Sequence, residues 1–226
     1  MILINKKREP KAWTKYCSTP GVTYQSIPEL VKALLEEQGY ICAYCMRRIP
    51  TRDKIEGKLT SEDHRIEHIK CRENYKNLQL KYNNMLICCP GHIKDDEHCD
   101  RKKDDQEISF SPLDPVFINT LTYTSAGIIA SSNPVYNEEM NSILNLNTSL
   151  LVLNRKAVLS EVIQKINQVC KKKGKGKGKG KGEWDKSALN SFLKKYKNKH
   201  NEGDKQKYYP YCGIVVWYIQ KKLNTV

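Results

Sequence analysis

The sequence predicts an α+β fold. Apolar residues recur at helical spacing near the N-terminus and again through the last third of the chain, while short β-branched stretches and a cluster of cysteines, histidines and acids occupy the middle. At 226 residues the chain holds one sizeable domain or two small ones. With 39% hydrophobic and 28% charged residues, it suits a globular protein with a modest core.

Residues 1–38 read as an arm followed by a buttress helix. Ser26 and Glu29 have the spacing of a capping box, and Pro28 suits a first turn. Ile27, Leu30, Val31, Leu34 and Leu35 line one face, Gly39 is a natural stop, and the helix delivers the chain directly into Cys42. Residues 39–115 read as a metal-bearing core, with an irregular polar loop over 46–64, a short strand over Arg65–Ile69 and a helix near Asp100–Asp105.

Residues 116–226 begin with a hairpin over Ile118–Ser131 that turns at Ser125-Ala126-Gly127. Three helical stripes follow: Leu151, Val158, Val162, Ile166 and Val169; then Leu189, Phe192, Leu193 and Tyr196; then Tyr211–Leu223. The tract at 171–182, KKKGKGKGKGKG, has no apolar side chain to offset the entropy of ordering it and reads as a disordered insertion. It is either a solvated linker or a flexible clamp on phosphates.

Half of the net charge of +14 sits in that tract, so the remainder is basic without being extreme and suits a polyanionic partner. The longest apolar run, Ile214–Ile219, is too short to span a bilayer, and residues 1–10 lack the apolar stretch of a secretory signal. The expectation is a cytoplasmic protein with no membrane partner. Nine cysteines is an odd number, and most lie between Cys42 and Cys99 among histidines and acids, which favours metal binding over disulfides. Cys17, Cys170 and Cys212 stand outside the cluster and read as small buried hydrophobes.

Zinc takes four N or S ligands in a tetrahedron, often as two short-spaced pairs. Cys42-x2-Cys45 is a strong first pair. The second half is less regular: Cys89 and Cys99 are the preferred ligands, with Cys88, His92 and His98 as competitors. Four protein ligands leave no open position, so such a site is structural.

A second constellation suits phosphodiester hydrolysis, which needs a base to activate water and a cation to offset developing charge. His68 is the preferred base because an unperturbed imidazole titrates near neutrality, and His64 is a weaker rival. Glu67 and Asp100 offer hard oxygen ligands for Mg²⁺ or a similar divalent ion. Adjacent strand residues start on opposite faces, so a twist or bulge must bring Glu67 and His68 into one cleft. Asn84 would hold the loop or orient His68 through its backbone, and Lys102 and Lys103 would meet nucleic-acid phosphates. Asn77-Leu78-Gln79-Leu80 is a near copy of the middle element, and taken singly each of these residues has a plainer reading as a cap, turn or surface residue.

Ile66-Glu67-His68, Tyr82-Asn83-Asn84-Met85-Leu86 and His98-Cys99-Asp100-Arg101-Lys102-Lys103 resemble the HNH core of PtuB-type nucleases, found in Septu anti-phage systems and with some retrons. Ser109–Pro115, Ile143–Asn147 with Arg155, and Tyr211–Tyr218 extend the resemblance over most of the chain, skipping the Gly-Lys tract. The resemblance implies a ββα-metal core with a structural zinc, followed by a mostly helical C-terminal region. It also implies a PtuA-like ATPase partner and, in retron settings, a reverse transcriptase with its RNA–DNA product. By that pattern His68 is the catalytic histidine, Glu67 and Asp100 are acidic metal-binding positions, and Asn84 is the central asparagine. Two positions depart from the wider pattern: Asp100 stands where His or Asn is usual, and Asp104 replaces a glycine, placing negative charge near the phosphate path. The expected function is a metal-dependent endonuclease acting on DNA or tRNA; the alternative is a non-catalytic zinc module that binds nucleic acid or docks an ATPase.

Overall fold

The computed structural model describes residues 1–50, 63–93, 96–173 and 184–225. Most of the loop expected over 46–64, and all but the first three residues of the 171–182 tract, lie outside the described residues. The chain is a mixture of helices and small antiparallel sheets. In order, α1 spans Lys11–Cys17, α2 Pro28–Gln38, β1 Arg65–His68, β2 Met85–Cys88, β3 His92–Ile93, β4 Asp96–Glu97 and α3 Asp100–Lys103. Then come α4 Pro115–Asn119, β5 Leu121–Tyr123, β6 Ile129–Ser131, α5 Pro134–Ser142, α6 Ser149–Lys173, α7 Lys186–Lys197, β7 His200–Glu202, β8 Lys205–Lys207 and α8 Cys212–Leu223. Each strand pairs with its sequence neighbour, and β1 meets β2 in the register Arg65↔Cys88 to His68↔Met85.

The α2 buttress forms as the apolar spacing requires, burying Leu30, Val31, Leu34 and Leu35, and Gly39 closes it in the left-handed conformation. The capping box does not form. Ile27 is the cap residue and no side chain bonds the first turn, because Pro28 at the first position sets the start one residue later than Ser26 would.

The last turn of α2 locks onto β2. Gln38 is 2% exposed, and its amide pairs with both backbone groups of Ile87, donating to the carbonyl at 2.7 Å and accepting from the N–H at 2.8 Å. Glu37 accepts from Lys6 Nζ at 2.6 Å and from the Lys7 backbone N–H at 2.5 Å, which fastens the N-terminal arm to the same helix end.

The expected hairpin is present as β5–β6, and the three C-terminal helices form at their apolar stripes, with α8 packed on α6 and α7. One hydrophobic cluster runs from Met1 to Ile219 and takes in all four candidate zinc ligands. Arg155, 3% exposed, is satisfied within it: Nε donates to the Gly127 carbonyl at 2.6 Å and an Nη to the Leu146 carbonyl at 2.8 Å. Of the cysteines outside the cluster, Cys212 is buried, while Cys17 and Cys170 are half-buried. Among the described residues no helix is long and apolar enough to cross a membrane.

Helices α1, α4 and α5 and the β3–β4 and β7–β8 hairpins were not expected. Short α1 lies below the length at which periodicity is readable. The β7–β8 hairpin is polar throughout and gives no alternation signal. Helix α5 did carry a signal, since Asn133 caps it by accepting from Val135 N–H at 2.9 Å and Pro134 follows at the first position.

Candidate metal centre and catalytic site

Cys42 and Cys45 lie on a tight hairpin. Cys42 N–H donates to the Arg47 carbonyl at 3.0 Å, Met46 N–H returns to the Cys42 carbonyl at 3.1 Å, and Met46 takes a positive φ of 64°. Ala43 N–H donates to the Ile87 carbonyl at 3.1 Å, docking this hairpin on β2 just before Cys89. Cys99 is presented at the start of α3 with φ 58°, and its N–H is held by the Leu144 carbonyl at 2.8 Å. Gly91 allows the approach: a Cβ there would stand 2.4 Å from the Arg101 Cβ.

The result is a buried group of four thiols, Cys42, Cys45, Cys89 and Cys99, with all sulfurs within 4.8 Å of one another. Cys42 and Cys99 sulfurs are 3.8 Å apart, and those of Cys45 and Cys89 are 3.7 Å apart. A tetrahedron with Zn–S bonds of about 2.3 Å has edges of about 3.8 Å. A disulfide would need about 2.05 Å. The four residues therefore fit a zinc ion and not a pair of disulfides.

Without a cation the thiols ionise unevenly. Burial opposes ionisation of Cys42, but donation from neighbouring sulfurs outweighs it and draws its pKa well down. Cys89, donating to Cys42 and Cys45, and Cys99, buried beside them, are pushed well up. Four thiolates this close require a cation to coexist.

The competitors take other places. Burial pushes the Cys88 thiol well above its ordinary range, with Cys42 adding to the effect. His92 is exposed. His98 is fully buried with Nε2 3.7 Å from the Cys89 sulfur and Nδ1 on the Asp96 carbonyl at 3.3 Å. Burial opposes its protonation, yet the Cys89 sulfur and that carbonyl raise its pKa overall, which places it as a donor behind a zinc thiolate.

The β1–β2 hairpin and α3 carry the residues of the second constellation. The ladder is regular from Arg65 to His68, however, so no bulge turns Glu67 and His68 to one face. Glu67 adjoins Asp100, but among the described residues Glu67, His68 and Asp100 do not gather as a metal-capable group. His68, at the end of β1, is 6% exposed, and its Nε2 lies 3.0 Å from the Gln79 carbonyl oxygen. A carbonyl only accepts, so Nε2 carries the proton and Nδ1 keeps its lone pair. Burial lowers the pKa of His68 to about 4, against a raising effect of that carbonyl. The Tyr24 ring stands edge-on to the imidazole at 4.5 Å.

Asn84 acts on the intervening loop: its Oδ1 accepts from Lys70 N–H at 2.8 Å, and its Nδ2 donates to the Lys70 and Leu78 carbonyls at 2.9 and 3.2 Å. The near copy at Asn77–Leu80 is part of that loop and supplies carbonyls to Asn84, His68 and Trp13.

Glu67 is 1% exposed and central to a network. It accepts from Tyr44 Oη at 2.8 Å, and Lys103 Nζ lies 3.1 Å from the same oxygen, Oε1. Burial raises its pKa well above the ordinary value, and the adjacent Asp100 carboxylate pushes the same way. Asp100 is itself held by the Arg65 guanidinium.

Lys103 departs from the sequence expectation. It is fully buried, pairs with Glu67 and also donates to the His68 carbonyl at 3.4 Å, so it does not meet phosphates; turning it outward would leave the Glu67 carboxylate buried without a counter-charge. Lys102 is exposed, as expected of a phosphate contact. Asp104 ends α3 with φ 49°, a conformation that glycine adopts without strain.

His64 precedes the opposite end of β1, four residues or about 13 Å along extended chain from His68, and does not share its site. Among the described residues only the four cysteines gather as three or more metal-capable side chains. Tyr44, Arg65, Tyr24 and the Gln79 carbonyl were missed by sequence reasoning. Only Tyr44, inside the cysteine pair, lay at a position that invited attention.

No known protein family matches the chain, and no curated protein matches it.

Two predictions follow from this geometry. Replacing Cys42, Cys45, Cys89 or Cys99 by Ser one at a time abolishes stoichiometric zinc in elemental analysis, whereas Cys88→Ser retains it. Lys103→Met leaves Glu67 buried without its cation and lowers unfolding free energy by about 3–5 kcal/mol in denaturant titration, while Lys102→Met changes it by less than about 0.5 kcal/mol.

Proposed function

We propose that this chain is a metal-dependent endonuclease that hydrolyses phosphodiester bonds in DNA or RNA, with His68 as general base. The observation that carries the reading is the fixed tautomer of His68. A buried imidazole whose Nε2 is committed to the Gln79 carbonyl offers Nδ1 as an acceptor that stays unprotonated at neutral pH. Its neighbours suit that role: Asn84 braces the loop that supplies the carbonyl, and Asp100 lies close enough to act electrostatically on the ring.

Asp100 and Glu67 are the residues that would hold a catalytic ion. Burial first and the adjoining Asp100 second raise the pKa of Glu67, and two adjoining carboxylates with solvent and substrate oxygens match what Mg²⁺ prefers once Lys103 and Arg65 yield. When bound, such an ion supplies charge neutralisation at the scissile phosphate and the leaving oxygen. Arg65 steadies Asp100, and Lys102 is available to phosphates on the outer face of α3.

The likeness of these segments to PtuB-type HNH nucleases supports a role as effector of an anti-phage system with a PtuA-like ATPase, and in a retron setting with its reverse transcriptase. One observation favours a second reading. Lys103 already neutralises Glu67, which a non-catalytic zinc adaptor for nucleic acid or an ATPase would tolerate indefinitely.

Incubating the purified chain, with and without its ATPase, on DNA and tRNA with Mg²⁺ separates the two. The nuclease reading expects divalent-dependent cleavage that falls about 10²–10⁴-fold in His68→Ala at unchanged zinc content. Cleavage that survives His68→Ala removes His68 as the base. Salt-sensitive binding without turnover in several divalent metals establishes the adaptor.

A further inference from the structure

A large cavity lies outside the four-cysteine and His68 sites and yet shares a wall with the latter. It has a volume of about 1170 Å³, between α2 and the β7–β8 hairpin. That exceeds the range of about 300–1,000 Å³ usual for a small-molecule site and leaves room for an extended ligand.

Its lining has two characters. The floor is apolar, formed by Ile27, Val31 and Leu35 of α2 with Ile66 of β1. The rim is basic: Lys7, Lys32, Lys199, Lys205 and Arg65 outnumber the acids Glu36 and Asp204. Lys199 is partly committed, donating to the Glu36 and Glu37 carbonyls at 2.6 and 2.9 Å, whereas Lys7 and Lys32 are exposed on the rim, Lys32 with Glu36 at 4.0 Å.

His64 also lines the cavity, 8% exposed; its Nδ1 is buried and has no hydrogen bond among the described residues.

The inner wall consists of two residues that touch the proposed catalytic groups. Tyr24 packs its ring against His68 at 4.5 Å, and Arg65 binds Asp100 through Nε while the rest of its guanidinium, on a side chain 45% exposed, faces outward.

From this arrangement we infer that the cavity is a binding cleft for unpaired nucleotides, which feeds a single-stranded segment of nucleic acid past Tyr24 and Arg65 to His68. A polyanion alone would use the rim and waste the floor. A duplex buries its base faces in its own stack and offers a protein wall phosphates and groove edges but no apolar face. An unpaired strand offers both phosphates for Lys7, Lys32 and Arg65 and flat apolar faces for the α2 floor.

The inference rests on the nuclease reading for its direction toward His68, but the cleft itself is tested by binding alone. The full zinc-loaded chain is titrated, with Ca²⁺ in place of Mg²⁺, against fluorescent single-stranded, duplex and abasic single-stranded oligonucleotides of equal length. Lys7→Glu/Lys32→Glu is compared with Lys186→Glu/Lys194→Glu, an exposed pair on α7 with the same change in net charge.

The expected result is single-strand binding that is tighter than duplex or abasic binding. It weakens about tenfold or more in the rim pair and about twofold or less in the α7 pair. Equal losses in the two pairs, or duplex or abasic strands bound as tightly as the intact single strand, overturn the cleft. Neither result depends on cleavage, so a failed cleft with His68-dependent turnover leaves the nuclease reading standing, and a selective cleft without turnover removes the nuclease reading alone.

Discussion

Everything near the proposed site hangs on the four-cysteine cluster. Its ligands come from three separated pieces of chain: the 42–45 hairpin, Cys89 just past β2, and Cys99 at the start of α3. None of these pieces could hold its conformation alone. The hairpin contains a residue with positive φ, Cys99 has another, and α3 is only four residues long. A helix of that length has no intrinsic stability in water, so its geometry must come from what its ends are tied to. A zinc ion held by the four thiolates would supply folding free energy outright and let so short a helix place Asp100 and Lys103 reproducibly.

The constraint reaches Glu67 and His68 through side chains that sit within the four-cysteine segments. Tyr44 lies between Cys42 and Cys45 and donates to Glu67; Lys103 lies four residues after Cys99 and pairs with the same carboxylate. Glu67 thus joins both halves of the zinc site to β1, and His68 is its immediate neighbour. Lys103 also bonds the His68 carbonyl. The imidazole is then fixed from the other side by the Gln79 carbonyl, itself on a loop pinned by Asn84. A buried ion pair of this kind adds little net stability over an apolar pair of the same shape, and its worth is in fixing one geometry among several.

Much of this was legible in the sequence, for reasons that are specific. The Cys42-x2-Cys45 spacing, the Glu67-His68 pair, the position of Asn84 and the α2 stripe are local patterns whose meaning survives without coordinates. The choice of Cys89 and Cys99 over Cys88, His92 and His98 was only a preference, since it depends on strand alternation at Cys88 and on which histidine nitrogen faces the metal. Lys103 was misplaced because one turn of helix carries Lys102 and Lys103 to different faces, and nothing in the sequence says which of two adjacent lysines turns inward. Tyr24, Arg65 and the Gln79 carbonyl were invisible because their roles depend on contacts between distant segments or on backbone groups. Asp104 had been read only for its charge; its positive φ adds that the chain turns there as a glycine would.

The central claim is that four sulfurs hold one zinc ion and so build the scaffold for His68. Zinc K-edge X-ray absorption on the purified chain tests it most directly. Four sulfur scatterers at about 2.3 Å and no light-atom ligand are predicted. A nitrogen at about 2.0 Å would bring His98 into the coordination sphere and contradict it, as would a chain that folds and stays folded with no zinc bound.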